Sequence, residues 1–138
     1  MIRTGQIFLN TRGFGDTINI TPHIEEEIST SRLSDGIVTV FVPGATGAVT
    51  TIEYEEGLIK DFKELWEKLL PEKAPYHHDK RWGDGNGFSH IRASLLGPSI
   101  TIPFVNGKMT LGTWQQVIFL DFDNRERKRK LICQVMGE

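Results

Sequence analysis

A chain of 138 residues suits one compact domain spanning residues 1–138 and leaves little room for two. With 38% hydrophobic and 25% charged residues, it has the composition of a soluble globular protein, which excludes disorder through low hydrophobicity. Sixteen basic residues against eighteen acidic ones leave a net charge of −2, without the basic excess of a general nucleic-acid binder. No run of about 18 apolar residues marks a membrane span, and the opening residues lack the charged-then-apolar pattern of a signal peptide. Neither nucleic acid nor membrane is expected as a partner, and the cytoplasm is the expected location. The single cysteine, Cys133, has no internal disulfide partner and sits in an alternating apolar stretch, the setting of a buried structural thiol. The compositional excess is fourteen glycines, concentrated in residues 36–57 and 83–112.

The opening stretch predicts a strand with Ile7 and Leu9 on one face and Phe8 on the other, closed by Asn10-Thr11-Arg12-Gly13. A short helix follows, with Thr21 as N-cap, Pro22 at the first position and Glu25-Glu26-Glu27 where the helix dipole favours negative charge. Ile37 to Val42 is β-branched and nearly continuous, the pattern of a buried strand, and Pro43 to Ala48 turns the chain into a second strand, Val49 to Tyr54. Leu58, Phe62, Leu65, Trp66 and Leu69 form one apolar stripe on an amphipathic helix ended by Pro71, and Trp66 belongs to the core. Pro71 to Gly87 shows no hydrophobic period, and a loop beyond about 12–15 residues in a small domain is commonly functional. A short helix from about Ser89 to Leu96 ends at Gly97-Pro98. Strands then return at Ser99 to Phe104, Met109 to Leu111, Gln115 to Phe122 and Lys130 to Val135, with Asn106-Gly107 as a hairpin signal. Helices set between runs of hairpins define an α+β fold on a mixed, mainly antiparallel sheet with a few helices.

The densest set of chemistry-bearing residues runs from Tyr76 to His90 and has the residue types of a divalent-cation or phosphate site. Histidine nitrogens ligate transition metals, and Asp79 and Asp84 supply carboxylate oxygens. Asn86 and the loop amides suit oxygen anions, while Gly83, Gly85 and Gly87 permit close backbone approach. No histidine pair has a helical metal spacing, so hydrogen-bonding roles that order the loop stand beside the metal reading for His78 and His90. His77 and His23 are assigned to the surface. Glu53 at a strand end is a second candidate, as general base or metal ligand or as an exposed edge acid. Thr46 offers a hydroxyl to a phosphate or simply forms the turn. Trp114 beside Gln115 would make an aromatic wall with a hydrogen-bonding tip for a planar heterocycle, or pack into the core. The basic run from Arg125 to Lys130 falls in a predicted hairpin turn and reads as a solvated turn, with an anion-binding patch for a polyphosphate as the alternative.

The stretches Phe41-Val42-Pro43 with Thr46, Tyr76-His77-His78-Asp79, Arg81-Trp82-Gly83-Asp84-Gly85-Asn86-Gly87, Ser89-His90 and Ala93-Ser94-Leu95-Leu96-Gly97 lie in one order along the chain. With Leu111-Gly112-Thr113-Trp114-Gln115-Gln116 and the terminal Gln134-Val135-Met136-Gly137-Glu138, they resemble the YjbQ family over nearly the whole length. The resemblance implies a compact α+β homotrimer and, for some members, a low-level thiamine-phosphate synthase activity. That reaction joins a pyrimidine methyl diphosphate to a thiazole phosphate and releases pyrophosphate. It further implies a bound divalent metal, zinc or magnesium, at His78 and His90, with a small phosphorylated molecule as ligand. On that reading His90, Glu53 and Asp84 are the catalytic candidates. Thr46, Asn86, Gly85 and Gly87 would hold phosphate oxygens, and Trp82 or Trp114 with Gln115 would receive the pyrimidine.

One position departs from the family pattern. Where relatives commonly read Val-Pro-His-Thr-Thr-Ala, this chain has Val42-Pro43-Gly44-Ala45-Thr46-Gly47, so a three-histidine site would keep two. A carboxylate from Glu53 or Asp84 completing the coordination, a shift towards magnesium-like ions and loss of the activity are the three consequences open to it. Two other functional classes follow: a non-enzymatic module that binds a small anion or metal, and a metal-dependent phosphohydrolase.

Overall fold

The computed structural model describes all residues from Met1 to Glu138. In chain order it contains β1 (Ile2–Thr11), β2 (Asp16–Asn19), α1 (Thr21–Ser31), β3 (Gly36–Phe41), β4 (Gly47–Glu53) and α2 (Glu56–Leu69). These are followed by α3 (His77–Trp82), α4 (Gly87–Leu96), β5 (Ser99–Val105), β6 (Lys108–Met109), β7 (Gln115–Asp121) and β8 (Arg127–Gly137). The strands form two sheets, one ordered β1-β8-β3-β5-β6 and the other β2-β7-β4, and every ladder is antiparallel. The α+β expectation is met, with the strands divided between two sheets. β3 and β4, separated by the Pro43–Thr46 turn, lie in different ones.

Hydrophobic patterning explains the layers. On the large sheet alternate residues Ile7 and Leu9, Val38 and Val40, and Leu131, Cys133 and Val135 point inward and are buried. They pack with Ile20, Ile24 and Ile28 of α1 and its approach, and with Val49, Val117 and Phe119 of the small sheet. The other face of the small sheet carries Ala48, Ile118 and Leu120, which join Phe122, Trp66 of α2 and Ala93 of α4 in a second cluster. The unbroken apolar run from Val117 to Leu120 is therefore buried on both faces, as a strand without alternation requires. Trp66 sits edge-on to Phe122 with ring centroids 5.1 Å apart. Arg92 of α4, 4% exposed, donates to the Leu70 carbonyl at 2.7 and 3.0 Å and clamps the end of α2 onto α4.

Several local expectations shift. The residue flanking α1 is Ile20, and Thr21 is the first helical residue, its hydroxyl accepting the Val117 N–H at 2.8 Å. Glu25 to Glu27 lie beyond the first turn. The short strand β2 went unread because Asp16-Thr17-Ile18-Asn19 has no alternating pattern; pairing with β7 defines it. Part of the Pro71–Gly87 stretch is helical, as α3. The stripe on α2 is not wholly covered: Leu58, Leu65 and Leu69 stay exposed while Trp66 is buried. The basic run is mostly strand, since β8 begins at Arg127 and buries Arg129.

Candidate functional site

The end of the small sheet at which β4 begins and β7 finishes supports a polar centre. β7 delivers Asp121 and the following turn delivers Asp123, exposed by 0% and 1% respectively. Burial by itself would raise the Asp121 carboxyl, but the hydrogen bonds from Arg129 and Thr11 outweigh it and hold the group below the ordinary 3.8. Arg129 donates Nε to Asp121 Oδ2 at 2.7 Å and Nη2 to Asp121 Oδ1 at 2.8 Å, a bidentate pair. Nη2 also donates to the Thr46 hydroxyl at 2.7 Å, and that hydroxyl donates to Asp123 Oδ2 at 3.0 Å. Arg127 Nη1 reaches the same Asp123 oxygen at 2.8 Å.

Alongside lie α3, α4 and the loop joining them. Gly83 closes α3 at φ +66 and Gly85 follows at φ +63, two left-handed turns that fold the loop back. Asn124, in the turn before β8, ties this loop to the sheet end: its Nδ2 donates to the Asp84 carbonyl at 2.8 Å, and its N–H reaches Asn86 Oδ1 at 3.2 Å. The rings of His78 and His90 consequently lie 4.4 Å apart, tilted by 37°. His78 Nδ1 is buried without a hydrogen-bond partner, 3.5 Å from Asp84 Oδ1 and 3.7 Å from Asp79 Oδ1. Ligand atoms of His78, Asp79 and Asp84 fall within 4.8 Å of one another. Burial, and then the charge of His78, hold His90 below the ordinary 6.5 against the opposing pull of Asp84, Asp123 and Asp79. The shift favours the neutral imidazole, the form that binds a metal.

These residues fit a divalent cation. An unpartnered buried imidazole nitrogen facing two carboxylates is a mixed nitrogen–oxygen donor set. The compact cluster contains Asp79 and leaves out His90, which stands beside it.

Other sequence candidates are placed differently. The Thr46 hydroxyl is buried and engaged by Arg129 and Asp123. Asn86 Oδ1 accepts from Ser89 at 2.6 Å, and the Gly87 N–H is spent on Asp79 Oδ1 at 2.7 Å, so both order the loop. Trp82 is 66% exposed at the end of α3 with the Arg81 guanidinium 5.5 Å from its ring. Glu53 pairs in register with Gln115 at the far end of β4, six residues beyond Gly47, or about 20 Å at the usual rise per residue. Trp114 is 73% exposed there, and Gln115 bonds Thr51 and Gly112. Glu53, Trp114 and Gln115 therefore do not converge with His78 in one chain.

Sequence reading missed Asp121, Asp123 and Asn124 as site residues, and took Arg129 only as one of a basic run in a turn. A signal was present for Arg129: it shares the inward parity of Leu131, Cys133 and Val135, so the two-residue period already pointed it at the core.

Two stacked antiparallel sheets with helices on the outer face of the smaller one, and a His–Asp cluster at one sheet end, define a compact α+β protein with a candidate cation site. The sequence model described as UPF0047 protein YjbQ-like matches residues 5–138, and the chain belongs to that family. It is 39% identical over 127 residues to an Archaeoglobus fulgidus UPF0047 protein, covering 92% of this chain and 97% of the relative. It is 29% identical to Bacillus subtilis YugU, covering 99% and 100% of the two chains. Among solved structures, a hypothetical protein from Aeropyrum pernix superposes with a TM-score of 0.91 at 32% identity over 99% of both chains. A protein of unknown function from Sulfolobus solfataricus gives 0.94 at 25% identity, covering 100% of this chain and 99% of the other. No helix is long and apolar enough to cross a membrane.

Proposed function

We propose that the protein holds a divalent cation, zinc or magnesium, at His78, Asp84 and Asp79, and through it binds a small phosphorylated molecule. The observation that carries this reading is the buried His78 Nδ1, which has no partner and faces two carboxylate oxygens at 3.5 and 3.7 Å. His90 stands against the His78 ring, its neutral form available as a further ligand or as a proton acceptor. A cation there would neutralise charge on a departing diphosphate, the demand made by thiamine-phosphate synthesis from a pyrimidine methyl diphosphate and a thiazole phosphate. The chain's own contribution is to orient the imidazole: Asp79 Oδ1 is fixed by the Gly87 N–H, and the Asp84 loop by Asn124.

A second reading is a non-enzymatic binding module. The wide separation of Trp114, Gln115 and Glu53 from His78 favours it, because one chain does not bring these three candidates to the histidines. Under either reading the working form would be a cytoplasmic homotrimer, for which the uncovered Leu58, Leu65 and Leu69 of α2 offer apolar surface.

Calorimetric titration of zinc and magnesium into chelator-stripped protein tests the site. We expect saturable binding weakened at least tenfold in His78→Ala, and unchanged affinity in that variant would remove the cation site. Assay of the two precursors then separates the readings: thiamine phosphate formed by wild type and lost in His78→Ala supports the synthase, and cation-dependent ligand binding without product supports the module.

A further inference from the structure

The buried guanidinium of Arg129 is used on one edge only. Nε and Nη2 are taken by Asp121 and Thr46, whereas Nη1 makes no hydrogen bond within the chain. A Cβ built on Gly44 would lie 3.3 Å from Nη1, so the glycine is what leaves that amino group uncovered. The two residues after it add unused donors: the N–H groups of Ala45 and Thr46 reach no acceptor in the chain, although Thr46 is only 6% exposed. Thr46 is buried while Ala45 is exposed, so these donors lie with Arg129 Nη1 at an edge that solvent reaches, where an acceptor from outside the chain can meet all three. Arg125, Arg127 and Arg129 bring positive charge to this sheet end, where they pair with Asp121 and Asp123. The same loop borders an open cleft of about 320 Å³ against Ala93 and Ser94 of α4, which gives the remainder of a ligand a place to lie.

We infer that Arg129 Nη1 and the backbone N–H groups of Ala45 and Thr46 form a subsite for a phosphate oxygen, opened by Gly44. Guanidinium and amide donors are the chemistry that recognises phosphate, and none of these groups takes part in the His78 cluster. The subsite extends the proposed function by placing a phosphoryl group of the ligand on the protein itself, apart from any cation.

The test uses inorganic diphosphate and full-length protein kept metal-free with chelator, so the cation site is silent. Saturable binding by wild type is expected in calorimetry, weakened at least tenfold in Gly44→Leu, which covers Nη1, and less in Gly44→Ala, where Arg129 needs to yield only a few tenths of an ångström. Position 44 is exposed and its backbone is not left-handed, so both variants keep an allowed conformation. Absence of saturable binding by wild type overturns the inference whatever the variants do, as does equal affinity in wild type and Gly44→Leu. Either result leaves the zinc and magnesium titrations to judge the cation site separately.

Discussion

Replacing Arg129 with Met would strip Asp121 of its bidentate partner while keeping most of the side-chain volume. Asp121 is fully buried, and its two bonds to Arg129 measure 2.7 and 2.8 Å. What remains is the Thr11 hydroxyl on Oδ2 and the Asp123 N–H on Oδ1, too little to hold a charge away from water. Removing one partner of a buried ion pair costs about 3–5 kcal/mol. Domains are stable by roughly 5–15 kcal/mol, so the variant should lose a large share of its stability, visible as a lowered urea midpoint with the slope unchanged. The double variant Arg129→Met/Asp121→Leu removes both charges and should be less destabilised than the sum of the two single variants, by about 1–3 kcal/mol. Acid denaturation gives an independent reading. Asp121 has a folded-state value below the ordinary 3.8, so the unfolded chain takes up the proton first as pH falls. Its contribution is present above about pH 4, declines below it, and should be missing from the acid transition of Arg129→Met. A single-variant cost below about 1 kcal/mol, or strict additivity in the double variant, would refute the view that this pair organises the sheet end.

Two further expectations concern titratable groups. His90 should titrate below 6.5 in nitrogen-resolved NMR of the imidazoles; because the unfolded chain protonates first, it should also make the metal-free protein less stable as pH drops below that value. A midpoint at or above 6.5 contradicts the burial assigned to it. Cys133, whose thiol burial pushes up to about 12, should resist an aromatic disulfide reagent at pH 8 and react at once in guanidinium; fast reaction of the folded protein would place the thiol outside the core.

Most of the secondary structure was legible because its signals are local. Period-two alternation marked β1 and β8, the stripe around Trp66 marked α2, and Asn106-Gly107 marked the turn now seen at φ +52 and +75. The division into two sheets was not legible, since nothing within Ile37 to Tyr54 tells a tight hairpin from a crossing between layers. The candidate site was read in part. His78, Asp79 and Asp84 lie close in the chain, and the glycines between them advertised a bent loop. Asp121, Asp123 and Arg129 escaped because their meaning comes from each other: an acid at a strand end and a basic run each resemble solvated surface until β7 and β8 bring them together. Glu53 and Trp114 join the same site only through the family resemblance, and neither residue type nor a motif tells which end of a strand faces which loop.

The pairing of β1 with β8 has a consequence for how the protein comes into being. Thr11 bonds Asp121 across 110 residues and Arg129 bonds Thr46 across 83, so the polar centre draws on both ends of the chain at once. On a ribosome, β1 to β7 would emerge with the large sheet lacking its second strand and Asp121 lacking its counter-charge. The strand that closes the sheet also delivers the guanidinium, so closure of the large sheet and completion of the Asp121–Arg129 pair go together. A nascent chain therefore lacks the Arg129 guanidinium of the proposed phosphate subsite until β8 has docked.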